Sequence, residues 1–136
     1  MAVITRGNML DYAEVQHAEL AAEAGITIAD TTAGIGLALD QAVAKLGSDT
    51  SNLDAAYALT DYYVLRRVWY ALASRVDFDA TAVQRNRSQV FNQVYKLLED
   101  AQKRCAAAGH AVATEKRVSL VEYNTDYLEP TLEEWA

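Results

Sequence analysis

Glu14 and His17 stand three residues apart in "DYAEVQHAEL". That is the Glu-x-x-His spacing with which helical bundles hold paired iron ions. Such a centre needs a second pair of the same kind and two more inward glutamates. The chain's other histidine is His110, and position 107 is Ala107, so the second pair is missing. Cys105 and His110 offer two zinc ligands where a structural site takes four. In "TTAGIGLAL", Gly34 and Gly36 are followed by Leu39 where a dinucleotide fingerprint carries its third glycine. There is no Gly-Lys-Ser phosphate loop, and no Ser, His and Asp set converges on one loop. His17 therefore reads as a packed histidine on an apolar stripe, and Cys105 as a small buried apolar residue. The expectation is a chain without catalytic residues, metal or cofactor, and so not an enzyme.

The stretch "DYYVLRRVWYALASR" raises a different chemistry. Tyr62, Tyr63, Trp69 and Tyr70 interleave with Arg66, Arg67 and Arg75, the mixture that stacks and neutralises single-stranded nucleic acid. A helix spreads these groups around its axis, however, and a sequence pI near 4.7 opposes affinity for phosphate backbone. A helix apolar or aromatic on several faces is normally surrounded by protein. In a chain this short, the expected second surface is another subunit. Arg66, Arg67, Trp69, Tyr70 and Arg87 are the expected subunit interface, since Tyr, Trp and Arg are the common anchors there. A small nucleic-acid-binding module, and a cellular helical adaptor or regulator, are the alternative readings.

These residues must be carried by helices. Apolar residues at spacings of three and four predict helices over about 9–24, 32–46, 53–76 and 79–108. Gly25, Gly47 and Gly109 stand as stops after the first, second and fourth. The expected inner stripes are Leu10, Ala13, His17, Leu20 and Ala24 in the first helix, and Ile35, Leu39, Val43 and Leu46 in the second. The fourth offers Val83, Arg87, Val90, Val94, Leu97, Ala101, Cys105 and Ala108. Ser51 and Asp54 have capping-box spacing before the third helix. The short "DFD" link makes the third and fourth helices an antiparallel hairpin, with Val64, Val68, Val90, Val94 and Leu97 buried between them. Arg87 interrupts the seam and is expected either to reach solvent or to pair with Asp61, Asp54 or a neighbouring subunit.

Net charge is −7, unevenly spread. Residues 1–65 carry −7, residues 66–117 carry +5, and residues 118–136 carry −5 with no basic group. An acidic, basic, acidic chain is suited to pairing with copies of itself or with a partner of matching pattern. The helical signal fails after Gly109. "VEYNTDYLEPTLEEWA" keeps aromatics that an idle tail has no use for, together with the only proline, Pro130. A short strand near Arg117–Tyr123 and a final helical turn opened by Pro130 are expected. The fold class is all-α: a four-helix bundle over 1–109 with a long antiparallel hairpin, and an extended assembly arm over 110–136. In the arm, Tyr123, Tyr127, Leu128, Leu132 and Trp135 are the expected partner-binding anchors. One cysteine, no signal peptide and no spanning segment point to a reducing cytoplasm without membrane contact.

The helical core "LDAAYALTDYYVLRRVWYALASRVDFDA", followed by "VFNQVYKLLEDAQKRCAAAG", resembles the head–tail connector adaptors of tailed double-stranded-DNA phages and related gene-transfer particles. The resemblance covers about Leu53–Gly109, with the tail agreeing in character. It implies a structural virion protein of the neck, assembled in the host cytoplasm. Its members form homo-oligomeric, dodecameric rings that join the portal protein to the tail-side neck protein. Genome DNA only passes through the channel. The C-terminal segment in such proteins is an extended arm that docks into the portal or over a neighbouring subunit.

Overall fold

The computed structural model describes residues 3–75 and 82–113, with side chains for 3–73 and 89–113. The arm anchors Tyr123, Tyr127, Leu128, Leu132 and Trp135, the expected strand and final turn, the "DFD" link, and the side chains of Arg75, Val83 and Arg87 lie outside the described residues. Four helices make up the fold: α1 Arg6–Glu23, α2 Gly36–Leu46, α3 Leu53–Arg75 and α4 Ala82–Ala107. No strand occurs among the described residues, and none of their helices is long and apolar enough to cross a membrane.

Local signals set the helix ends. Thr5 caps α1, accepting from the Asn8 amide, while the Asn8 side chain returns a bond to the Thr5 amide. The α4 stop is a Schellman turn: His110 N–H reaches Cys105 O at 2.9 Å and Gly109 N–H reaches Ala106 O at 3.1 Å. Gly109 takes φ +91°, which a side chain at that position would resist. The expected Ser51–Asp54 capping box is not the device used at α3. Asn52 does that work instead, its Oδ1 accepting from Ala55 N–H. Its Nδ2 donates to Asp49 Oδ2 at 2.8 Å and to Ala108 O at 3.1 Å. One side chain thus caps the start of α3 and ties it to the end of α4.

α3 lies at the centre and packs against α1, α2 and α4. It runs antiparallel to α4, because Asn52 meets Ala108, Asp61 meets Arg104, and Trp69 meets Tyr95 and Phe91. Ala13 and Ala21 of α1, Ala38 and Ala42 of α2, and Ala55, Ala56 and Ala58 of α3 are all buried. Small residues at contact positions let helix axes approach closely. Tyr62, Leu59, Val64, Val68 and Leu72 fill the volume between them with Met9, Leu39, Val94 and Leu98.

Two expectations need correction. A second protein surface is not required to cover α3, since three helices of the same chain surround it. The α4 seam also differs from the expected one. Phe91, Val94, Leu98, Ala101 and Cys105 are buried, Val90 is half-buried, and Leu97 is 39% exposed. From Val94, steps of three and then four lead through Leu97 to Ala101, whereas steps of four and then three lead through Leu98. Both obey helical spacing, and the packing selects the second. Leu98→Ala should therefore cost about 2–5 kcal/mol in chemical denaturation. Leu97→Ala should cost under about 1 kcal/mol.

Candidate functional site

A carboxylate sits in the centre of the bundle. Asp61 of α3 is 4% exposed and is surrounded by polar groups from two other helices. His17 Nε2 donates to its Oδ1 at 2.6 Å. Tyr12 OH donates to Oδ2 at 2.9 Å, and Arg104 Nη2 to the same oxygen at 2.7 Å. Arg104 Nε reaches back one turn to Asp100 at 3.2 Å. Tyr12 is further held by face-to-face stacking on Tyr57, with centroids 4.2 Å apart. Two clefts open beside this cluster. One, of about 440 Å³, is walled by Tyr12, Tyr57, Asp54 and Arg104, and the other, of about 300 Å³, by Gln16, His17, Leu20 and Leu97.

The electrostatics follow from burial and pairing. Burial works to raise the Asp61 carboxyl, but the hydrogen bonds and charges of His17 and then Arg104 outweigh it and hold the group below the usual carboxylate range. Burial, followed by the charge of Asp61, pushes the Tyr12 phenol up to about 12, so it stays a donor. A histidine beside an aspartate also occurs in general-base dyads, but here the geometry differs. Nε2 is spent on the carboxylate, and Nδ1 is sealed from solvent with no hydrogen-bond partner among the described residues. His17 thus lines the smaller cleft while its Nε2 ties α1 to α3 through Asp61.

Sequence reasoning placed His17 on a packed stripe but missed Tyr12, Asp61 and Arg104 as a unit. The available signal was an acid inside "YALTDYYVL", where helix periodicity puts it among buried residues.

The expected interface residues separate in the structure. Trp69 is not available to a partner: it is 4% exposed, with its ring stacked on Phe91 at 5.6 Å and near Tyr95 at 5.7 Å. The core of its own chain consumes it. Arg67 donates from Nε to Gly34 O at 2.6 Å and from Nη2 to Ala33 O at 2.9 Å. It staples the α1–α2 loop, whose tight path leaves no room for a Cβ at Gly34 beside the carbonyls of Ala29 and Thr27. The two glycines of "GIG" thus shape a loop and a late helix start at Gly36.

Tyr70 faces outward, with half-buried Arg66 beside it. The Arg66 guanidinium lies 5.7 Å from the centroid of the Tyr70 ring, which is 50% exposed. They rim a cleft of about 350 Å³ between α2 and α3, completed by Leu37, Gln41, Tyr63 and Ala71. Leu37 is 58% exposed. Burial raises the Tyr63 phenol, against the opposing charge of Arg66. An aliphatic residue, two tyrosines and an arginine around a concavity form an interface composition. Arg87 cannot be placed in it, because its side chain lies outside the described residues. Both Asp61 oxygens are already occupied by Tyr12, His17 and Arg104.

No protein-family model matches the chain, and searches of the curated proteins and of the solved structures likewise return no match.

Asp61→Ala would leave Arg104 and His17 without their acceptor, and it should cost about 3–5 kcal/mol near neutral pH. The folded carboxyl titrates below its unfolded value of about 3.9. Its contribution is therefore complete above that value and fades as pH falls through the folded one. The stability gap between Asp61→Ala and the parent, followed by denaturant titration, should narrow below about pH 4. Burial pushes the Cys105 thiol up to about 11 and the side chain is fully enclosed. A disulfide exchange reagent at pH 8 should label Cys105 in the unfolded chain and leave the folded one unlabelled.

Proposed function

We propose that this chain is an assembly subunit, the repeating unit of a head–tail connector ring in a tailed phage or a related gene-transfer particle. In that role it joins portal to tail and continues the DNA channel, and its place is the virion neck. The observation that carries the reading is the α2–α3 cleft. It presents exposed Leu37 and Tyr70 beside half-buried Tyr63 and Arg66, on a bundle that fills its own core without Leu37 and Tyr70. Apolar and aromatic surface rimmed by a cation is what a specific protein contact uses. The Asp61 cluster fits the same reading, since a rigid subunit must hold helix positions against the load of a ring.

The nucleic-acid alternative is less well supported. Tyr62 and Trp69 are buried and Arg67 is spent on loop carbonyls, which removes two of the four aromatics and one of the three arginines that suggested it. A cellular adaptor would use the same cleft, and a neighbouring gene for a portal protein separates it from the connector.

The bundle's boundary also matters to the test. The chain stays on the bundle past Gly109. His110 Nε2 bonds Asp49 at 2.8 Å, Val112 packs on the core, and Tyr62 OH donates to Ala113 O at 2.8 Å. The segment available for assembly thus begins near residue 114 and not at residue 110. Deleting residues 114–136 should leave far-ultraviolet helicity and cooperative melting nearly unchanged. Mixed with the portal protein, the full chain should form rings by electron microscopy and the truncated chain should not. A full chain that never forms rings with portal or tail-side proteins sinks the connector reading.

A further inference from the structure

Past α4 the chain turns back on itself. Gly109 makes the reversal at φ +91°, with open space where a Cβ would stand. The residues after it run along the groove between α3 and α4. At the start of α3, Asn52 Nδ2 holds Ala108 O at 3.1 Å. Further along, Tyr62 OH holds Ala113 O at 2.8 Å, and Gln102 Nε2 reaches the same oxygen from α4 at 3.4 Å. From residue 52 to residue 62 a helix rises about 15 Å, and five extended residues span about 17 Å. Residues 109–113 are therefore an extended strap laid parallel to α3, with a pin at each end.

Its fastening differs from that of the helix it leaves. α4 buries Val94, Leu98, Ala101 and Cys105 completely. The strap has one apolar anchor, half-buried Val112, while Ala111 and Ala113 are exposed. Between the pins, His110 Nε2 bonds Asp49 Oδ2 at 2.8 Å, and Asn52 Nδ2 steadies the same oxygen. The His110 amide closes onto Cys105 O at 2.9 Å. A segment held by a few directed bonds and little apolar surface opens at lower cost than a packed helix. Because the strap is nearly fully extended, its bonds act in series, and losing the far pin loosens the near one.

We infer that residues 109–113 open as one unit, hinged at Gly109, while the four helices stay folded. Opening adds up to about 17 Å to the reach of the chain that follows. On the assembly reading, on which this role rests, the strap sets how far that chain extends from the bundle: short when closed, long when a partner draws it off.

The test is amide hydrogen exchange by NMR on the full chain, read at His110 and at Leu98 inside α4, over a series of low denaturant concentrations. The His110 amide should exchange much faster than that of Leu98 and more slowly than an unprotected amide. Its rate should hardly depend on denaturant, because little surface is exposed when the strap opens. Tyr62→Phe removes the far pin and should speed exchange at His110 about fivefold, the scale of one net hydrogen bond. Val112→Ala should act in the same direction, and it carries the test alone if Tyr62→Phe does not fold. An unchanged His110 rate in either folded variant would show that the two ends open separately and overturn the inference. A His110 rate and denaturant slope equal to those of Leu98 would overturn it too, since the strap would then open only with the bundle. Exchange at the unprotected rate would mean that no closed strap exists. Rings that form with portal protein while the strap fails these tests would sink the strap and leave the connector. A strap that opens as expected in a chain that forms no rings would do the reverse.

Discussion

A negative charge buried at the centre of a bundle constrains everything packed around it. Asp61 has lost its water, and an isolated carboxylate there would be strongly destabilising. It is tolerated because both oxygens accept hydrogen bonds from donors brought in by α1 and α4. The geometry leaves little freedom. Sliding α1 by one turn moves Tyr12 and His17 by about 5.4 Å and breaks both bonds. Sliding α4 does the same to Arg104. Apolar contacts alone would tolerate neighbouring registers, particularly across alanine-rich faces. Asp61 therefore specifies which register is native, while the alanine, leucine and valine contacts supply most of the stabilisation.

This separation explains what the sequence could and could not reveal. Helix number and order were readable because stop glycines and apolar spacing are local signals, and Gly25, Gly47 and Gly109 all take positive φ. Choosing between Leu97 and Leu98 was not possible from spacing, because both continue the stripe from Val94 to Ala101. Asn52 was overlooked as the α3 cap, since its second task, holding Ala108 O, joins residues far apart in the chain. The Asp61 cluster has the same character. Tyr12, His17, Asp61 and Arg104 have no motif in common, and only the antiparallel course of α3 and α4 brings Arg104 to Asp61. The grouping of Arg66 with Tyr70 was readable from their four-residue spacing. The inward course of Trp69 was not, because it depends on where Phe91 and Tyr95 arrive.

α3 divides its duties around its circumference. One side carries Val68, Trp69 and Leu72 into the core, another presents Asp61 to α1 and α4, and a third carries half-buried Tyr63 and Arg66 and exposed Tyr70 beside α2. A central helix that also reaches the surface lets the cleft be built on the least deformable element of the fold. Side chains on such a scaffold are held more closely than side chains on loops. Arg67 extends this rigidity, since it fastens the loop that leads into α2 and so fixes Leu37 across the cleft from Tyr70.

The adjacent arginines at 66 and 67 show how one sequence signal resolves into two physical roles. Both are cations on a helix rich in aromatics, and composition treats them alike. Arg67 spends two directed N–H donors on consecutive carbonyls, a task that depends on the flat, forked guanidinium. Arg66 lies against the Tyr70 ring, a cation beside an aromatic face. At 67, lysine would keep the charge but place a single ammonium where two separated donors are needed, loosening the loop and the Leu37 wall. The cleft therefore depends on Arg67 for its shape, while Arg66 stands at its rim. Leu37 faces Arg66 and Tyr70 across the cleft only because Arg67 has already been committed to holding the loop that leads into α2.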